Sequence, residues 1–207
     1  IAPEDLDANA GLIRGAAVFV TQLEQPIAAA RRGLEIARAA GVTTILNPAP
    51  AAALDDAMLA LCDFITPNET EAETLTGLPV TTLPEAEKAA DALMARGGGA
   101  VIITLGARGA LYRDGERSVH VPAISAGQVV ETTGAGDAFN GGFAGAPAGG
   151  PCRVTIGAAT QTASSTSRVT NRMVAPVSSR SRNNSACNES RAGASRPTNG
   201  SSSSSTG

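Results

Sequence analysis

Leucine and aromatic side chains end long before the sequence does, and this favours a hydrophobic core within residues 1–143. The last leucine is Leu111 and the last aromatic residue is Phe143, in a sequence of 207 residues. Residues 144–207 are rich in Ser, Thr, Asn, Gly and Arg instead. Such a segment buries too little apolar surface to offset about 1–2 kcal/mol of backbone entropy per ordered residue. We therefore expect 144–207 to form a disordered, low-complexity tail.

Charge divides the sequence at the same point. Residues 1–143 carry 18 acidic and 9 basic side chains, whereas 144–207 carry one Glu and seven Arg. These arginines are dispersed and no aromatic residue stands among them for base stacking, so we predict no nucleic-acid partner. A shifted reading frame also produces an abrupt change of this kind, and the nucleotide sequence would distinguish the two origins.

The composition also bears on the cell compartment. No apolar run approaches the roughly 18 residues of a membrane span, and no basic-then-apolar leader opens the sequence. Cys62, Cys152 and Cys187 are far apart, odd in number and without CxxC spacing, which argues against a disulfide framework and a zinc site. We expect a soluble, cytoplasmic protein with no membrane partner.

Short apolar runs alternate with helical patterns along residues 1–143. The apolar runs predict strands at Ala16–Thr21, Val42–Leu46, Phe64–Thr66 and Ala100–Thr104. Capping residues, prolines and glycines predict helices over 26–40, Met58–Leu61, Thr70–Thr76 and Pro84–Arg96. Asp114-Gly115 predicts a hairpin between Ala110–Arg113 and Arg117–Val121. The predicted fold class is α/β, a mainly parallel sheet covered by helices on both faces.

Polar or glycine-rich segments stand where strands end and helices begin, and ligands bind at such places in α/β sheets. These segments are 66–71, 104–109 and 131–142. In the third, a glycine-rich loop leads into a helical start with Asp137 at the junction. Glycines let backbone N–H groups approach a ligand closely, and a helix N-terminus favours an anion. The third segment therefore predicts a phosphate-binding loop with a carboxylate beside it.

Each segment also has a purely structural interpretation. Asn68 and Glu71 have the spacing of a capping box, and Asp137 has that of an N-cap. Gly106 and Gly109 are compatible with a loop before the hairpin, and His120 with a surface position. With one histidine there is little basis for Ser–His–Asp or Cys–His chemistry, and a Walker A loop is absent from the sequence.

Three longer segments resemble one family. VVETTGAGDAFNGGF (129–143) resembles the C-terminal signature of the ribokinase-like (pfkB) carbohydrate kinases. TPNETEAETLTG (66–77) and VIITLGARGA (101–110) resemble two further family motifs, in the same order. QLE (22–24) and ILNPAPA (45–51) resemble the members that phosphorylate ribose. The resemblance covers nearly all of 1–143 and implies the C-terminal portion of a kinase domain, with its nucleotide and catalytic loops.

The resemblance implies ATP-dependent phosphorylation of a sugar hydroxyl, D-ribose giving ribose 5-phosphate. Asp137 resembles the catalytic base, and it also contacts the sugar. Gly134, Ala135 and Gly136 resemble the anion hole that stabilises charge on the transferred phosphoryl group. Glu24 resembles a carboxylate that contacts ribose hydroxyls.

The resemblance also implies cofactor sites. Asn68 and Glu71 resemble the NxxE motif, which places Mg²⁺ and phosphate oxygens through water. A monovalent-cation site, with K⁺ as the activating ion, is implied at Glu131 and Thr133, where the family has Asp at position 131. The implied nucleotide contacts are Asn68, Thr104, Gly106, Gly109 and Gly136.

The sequence departs from the family at both ends. Family members continue after the signature with apolar helices that complete the adenine pocket, and 144–207 lacks them. Most of the sugar pocket and the lid, through which members can form homodimers, precede these motifs. We therefore expect this fragment by itself to be inactive. The alternatives are another sugar or nucleoside kinase of the family, or a non-catalytic remnant.

Overall fold

Six strands of the described part of the chain form one mixed sheet, in the order in which they occur in the sequence. A computed structural model describes residues 1–124 and 134–148. The first four strands are parallel, and the last two add an antiparallel hairpin. This confirms the predicted mainly parallel sheet and its Asp114-Gly115 turn. The strands are β1 Val18–Thr21, β2 Thr43–Leu46, β3 Phe64–Ile65, β4 Ala100–Thr104, β5 Ala110–Arg113 and β6 Ser118–Val121.

Seven helices accompany the strands in the described part of the chain, and the first two lie outside the sequence-based prediction. Helix α1 begins at Pro3 with Glu4 and Asp5 in its first turn, which is a typical helix start. None of the seven is long and apolar enough to cross a membrane. The helices are α1 Pro3–Ala8, α2 Ala10–Arg14, α3 Ile27–Ala39, α4 Asp56–Leu59, α5 Glu69–Thr76, α6 Leu83–Ala95 and α7 Ala135–Ala148.

Helices cover both faces of the sheet. Alternating strand residues such as Val101 and Ile103 face a core that includes side chains of α3, α4, α5 and α6. Ile102, between them, faces the other side, where Phe139 and Phe143 of α7 pack. Phe143 meets Phe64 of β3 edge-on, with ring centroids 5.1 Å apart. The period of two along β4 therefore confirms the prediction of a sheet with two buried faces.

The carboxyl ends of the parallel strands meet at one edge of the sheet and are held together beyond the strands themselves. The N–H of Asn47 donates to the C=O of Thr21 at 2.9 Å, and that of Thr66 to Leu46 at 2.9 Å. The N–H of Thr104 likewise donates to Pro67 at 2.9 Å. These bonds hold the ends of β1, β2, β3 and β4 in fixed positions relative to one another. Helix α7 begins at the same edge of the sheet.

Several predictions lie outside the described residues. Helix α7 runs to Ala148 and so includes the first five residues of the expected tail. The predicted disorder of 149–207 and the predicted cation site at Glu131 and Thr133 fall outside 1–124 and 134–148.

Candidate active site

A cavity of about 220 Å³ lies at the carboxyl ends of the strands. Three of the predicted residues, Ala135, Gly106 and Gly109, are not part of its lining. The remaining predicted residues within the described ranges do line it, although they come from four separate parts of the sequence. They are Glu24, Asn68, Glu71, Thr104, Gly134, Gly136 and Asp137.

Asp137 is the third residue of α7, so it lies within the first turn rather than at the N-cap. The first turn closes where the N–H of Ala138 donates to the C=O of Gly134 at 3.0 Å. The Asp137 carboxylate is solvent-accessible, and its Oδ1 accepts a hydrogen bond from Nε2 of Gln22 at 2.6 Å. Sequence reasoning gave Gln22 no role, although its position directly after β1 places it at the functional edge of the sheet.

The loop before α7 has the geometry of an anion site. Gly134 has φ +78°, a left-handed conformation that favours glycine. A Cβ atom added at Gly136 would meet no protein atom within 4 Å, so the backbone there is open to a ligand. The free N–H groups at the start of a helix carry partial positive charge. The N-terminus of α7 is thus suited to a phosphate group.

Asn68 and Glu71 form the capping box of α5 and also line the cavity. The N–H of Glu71 donates to Oδ1 of Asn68 at 2.9 Å, and the N–H of Asn68 donates to Oε2 of Glu71 at 2.8 Å. Nδ2 of Asn68 donates to the other Glu71 oxygen at 2.9 Å. Glu71 is only 7% exposed, and burial raises the pKa of its carboxyl, an effect that the Asn68 N–H partly opposes. The capping and functional interpretations are therefore compatible.

The turn after β4 combines a cavity residue with structural glycines. Thr104 lines the cavity and pairs with Asn68 in an isolated bridge. A Cβ atom at Gly109, where φ is +99°, would collide with the backbone oxygen of Val121. Packing therefore explains Gly109 without a ligand. Arg108 anchors the same turn through its bond to the C=O of Thr81 at 2.6 Å.

Carboxylates dominate the charge around the cavity. Glu24, Glu71 and Asp137 line it, and none of the described residues that line it is Lys, Arg or His. Carboxylate and amide oxygens are ligands that suit Mg²⁺, which keeps several of its waters when bound. Within the described residues no cluster of three or more His, Cys, Asp or Glu side chains is placed to hold a metal directly. The donor set therefore fits a hydrated Mg²⁺ near Glu71 better than a fully protein-coordinated ion.

A buried polar contact beside the cavity escaped the sequence analysis. Oγ1 of Thr66 donates to Oδ1 of Asn140 at 2.7 Å, and the C=O of Thr66 accepts from Nδ2 of Asn47 at 2.7 Å. All three residues are buried and line the cavity. Asn140 belongs to the quoted motif around Asp137, but a contact across 74 residues has no signature in a single sequence.

Comparison with known proteins gives a family. The sequence model of the pfkB family carbohydrate kinases matches residues 3–171, which is most of the chain. The matched range includes every residue of the cavity and extends past residue 143.

Curated relatives are matched over part of their length. The chain is 44% identical to a ribokinase of Staphylococcus aureus over 141 residues, which are 68% of this chain and 46% of that protein. It is 41% identical to a deoxyribokinase of Salmonella typhi over 145 residues, 70% of this chain and 47% of that protein. The chain thus spans about half the length of these relatives.

Solved structures are likewise matched over part of their length. The structure of Arabidopsis thaliana ribokinase complexed with ribose and ATP superimposes with a TM-score of 0.64 at 31% identity. The match covers 67% of this chain and 45% of the plant protein.

Proposed function

Because the chain belongs to the pfkB family of carbohydrate kinases, we propose that it carries the catalytic and nucleotide-binding part of an enzyme that transfers the γ-phosphoryl group of ATP to a sugar hydroxyl. One observation carries the proposal: an accessible carboxylate, Asp137, stands in the first turn of a helix whose open glycine loop faces the same cavity as Asn68 and Glu71. This arrangement offers a base and an anion site side by side.

In the proposed reaction, Asp137 takes the proton of the sugar hydroxyl as its oxygen attacks the γ-phosphorus. The bond between that phosphorus and the bridging oxygen of ADP breaks, and ADP leaves with the electron pair. Backbone N–H groups of Gly134–Gly136 and the dipole of α7 stabilise negative charge on the transferred group. Positioning and electrostatics of this kind supply nearly all of the catalysis in phosphoryl transfer.

Metal ions enter the proposal through this chain's own donors. Glu71 and Asn68 would hold hydrated Mg²⁺ and phosphate oxygens, and Mg²⁺ supplies positive charge that offsets the charge of the triphosphate. Thr104 and the turn that follows it would border the nucleotide. K⁺ activation at Glu131 and Thr133 remains part of the proposal on the strength of the family resemblance alone.

For the acceptor we propose a pentose, with ribose first and 2-deoxyribose second. Glu24 lines the cavity, and its carboxylate would accept hydrogen bonds from sugar hydroxyls. The ribokinase and deoxyribokinase matches support this class and leave two sugars that differ in one hydroxyl. We further propose a cytoplasmic enzyme whose full-length form is a homodimer.

The test compares two proteins. The first is the 207-residue chain, and the second is a chimaera that joins it to the part of the Staphylococcus aureus ribokinase that it does not match. We expect both to bind Mg·ATP in calorimetry, and only the chimaera to release ADP at ordinary kinase rates with ribose or 2-deoxyribose. Fructose serves as the sugar control.

The outcomes separate the alternatives. Mg·ATP binding without turnover in the chimaera would favour a non-catalytic remnant. Because most of the sugar pocket of the chimaera comes from the Staphylococcus aureus ribokinase, the acceptor is tested with the full-length protein, in which turnover with fructose but not with a pentose would favour another member of the family. Absence of Mg·ATP binding by either protein would refute the proposed function.

A further inference from the structure

Two buried polar side chains join the sheet to the helix that carries Asp137. Thr66 and Asn140 are 1% and 5% exposed, and Oγ1 of Thr66 donates to Oδ1 of Asn140 at 2.7 Å. A buried hydrogen bond is strongly directional, and leaving either partner unsatisfied is unfavourable. The contact therefore restricts where α7 sits on the sheet.

Each end of this bond stands next to a different part of the proposed site. Thr66 precedes Asn68 by two residues at the carboxyl end of β3. Asn140 follows Asp137 by three residues, so the two side chains share one side of α7. The bond thus joins the helix that carries the proposed base to the strand end that leads to Asn68 and Glu71.

The sheet end of the bond is itself firmly held. The N–H of Thr66 donates to Leu46 at 2.9 Å, and its C=O accepts from Nδ2 of Asn47 at 2.7 Å. Phe139 and Phe143 also attach α7 to the sheet, but apolar contacts are non-directional and tolerate small shifts. The hydroxyl of Thr66 is therefore the fixed point, and α7 is the element that it places.

We infer that the Thr66–Asn140 hydrogen bond is a positioning device, which holds Asp137 and the Gly134–Gly136 loop in register with Asn68 and Glu71. The two residues are positioning residues, because their effect reaches the reacting atoms through these groups. The inference rests on the proposed function, in which both halves of the site contact the same nucleotide.

Thr66→Val tests the bond by removing the hydroxyl while keeping the shape of the side chain. Thr66→Ser keeps the hydroxyl and should restore the wild-type behaviour. Thr44→Val is the matched control, since Thr44 is fully buried in β2 of the same sheet and its Oγ1 donates to the C=O of Leu61 at 2.7 Å. Thr44 is not part of the cavity lining.

The first measurement is Mg·ATP binding to the full 207-residue chain by calorimetry. Displacement by about 1 Å can reduce the effect of a positioned group on the order of 100-fold, so a looser α7 should weaken binding by at least about 10-fold in Thr66→Val. Thr66→Ser and Thr44→Val should bind as the wild type does. Equal affinity of Thr66→Val and wild type, or equal weakening in Thr44→Val, would overturn the inference.

The second measurement needs no ligand. Hydrogen exchange of the α7 amides from Ala138 to Phe143 should be faster in Thr66→Val by on the order of 10-fold and unchanged in Thr44→Val. If the wild type fails to bind Mg·ATP, the proposed function fails, whereas the exchange rates still decide whether the bond places α7. Unchanged hydrogen exchange of the α7 amides in Thr66→Val would contradict the inference that the bond places α7.

Asn140→Leu provides a second variant should Thr66→Val fail to fold. In Asn140→Leu the Thr66 hydroxyl keeps an acceptor, because the C=O of Leu46 lies 3.4 Å from its Oγ1. No buried polar group is then left without a partner, so folding should survive. Both measurements should shift in the same direction as in Thr66→Val, and wild-type values in both would refute the inference.

Discussion

Helices α5 and α6 both begin at a capping box, yet the pKa values of the glutamates in the two boxes are shifted in opposite directions. Glu71 of α5 is 7% exposed, and burial raises its pKa. Glu85 of α6 is solvent-accessible, and hydrogen bonds, first from the Thr81 hydroxyl and then from Thr82, lower its pKa to about 2. Both helices share the reciprocal pair of bonds, from the N3 N–H to the N-cap side chain and from the N-cap N–H to the N3 carboxylate.

The difference shows what separates a cap from a site. Asn68 and Glu71 lie where the ends of β3 and β4 meet α7, and their box opens into the cavity. Thr82 and Glu85 lie at the start of a helix away from this edge, and none of the cavity residues belongs to α6. The second role proposed for the Asn68–Glu71 box therefore depends on its position beside other polar groups at the cavity.

The helix start of α7 should give the largest effect, because its acidic residue, Asp137, is solvent-accessible and is the proposed base. Asp137→Asn in the chimaera should lower kcat by about 10²–10⁴-fold, as is typical when a general base is lost. Calorimetry should show Mg·ATP binding intact. A variant that keeps nearly full kcat would remove Asp137 from the mechanism.

Substituting each of the two glutamates by glutamine tests this comparison directly. Glu71→Gln should reduce kcat and Mg²⁺ affinity by about 10–100-fold, as for residues that act on a metal through water. Glu85→Gln should leave both unchanged, although it removes the same carboxylate from the same motif. Equal effects in the two variants, measured by sugar-dependent ADP release at varied Mg²⁺, would show that the boxes differ only in stability.

The open backbone at Gly136 gives an intermediate effect. Gly136→Val should weaken Mg·ATP binding by on the order of 10-fold, which corresponds to about 1.4 kcal/mol, because its side chain occupies the space of the phosphate. Gly141→Val is the control in the same helix, since a Cβ atom there also meets nothing within 4 Å. Calorimetry that finds both variants equal to wild type would reduce the loop to a structural turn.

The smallest effects concern the pH dependence of stability. The folded pKa of Glu85 lies below its ordinary value of 4.5, so its stabilisation is present above pH 4.5 and is lost as the pH falls through about 2. The difference in Tm between wild type and Glu85→Gln should therefore shrink over this range.

Glu71 should show the opposite sign. Its folded pKa lies above 4.5, so ionisation weakens the fold at higher pH and protonation relieves this as the pH falls through the raised pKa. The Tm of the wild type should therefore rise relative to that of Glu71→Gln as the pH falls towards 4.5. If the Tm differences of the two variants from the wild type change with pH in the same direction at constant ionic strength, the opposite pKa shifts of Glu71 and Glu85 would be contradicted.

Local patterns predicted the elements well, because their causes are local. Asp114-Gly115 predicted the hairpin, and Pro84 predicted the start of α6 to within one residue. The family resemblance supplied seven of the cavity residues. The Gln22–Asp137 and Thr66–Asn140 contacts join residues 115 and 74 positions apart. Only the folded sheet brings these pairs together, so sequence reasoning could not assign them.

Glycines illustrate the same limit. Gly97-Gly98-Gly99 marked the end of a helix in the sequence, and Gly97, with φ +100°, fulfils that role. Gly99 has a different reason, since a Cβ atom there would collide with the backbone oxygen of Asp63 just before β3. This close approach depends on the neighbouring strand and has no local signal.

The strand order has a consequence for how the protein is made. Each strand pairs with the one synthesised before it, so the sheet can grow in step with the ribosome without a long search for partners. Helix α7 can reach the sheet only after the strands β1 to β6 have been synthesised. The proposed base is therefore the last part of the site to arrive, and nascent chains stalled before α7 should protect the amides of β1–β4 in hydrogen exchange while lacking affinity for Mg·ATP.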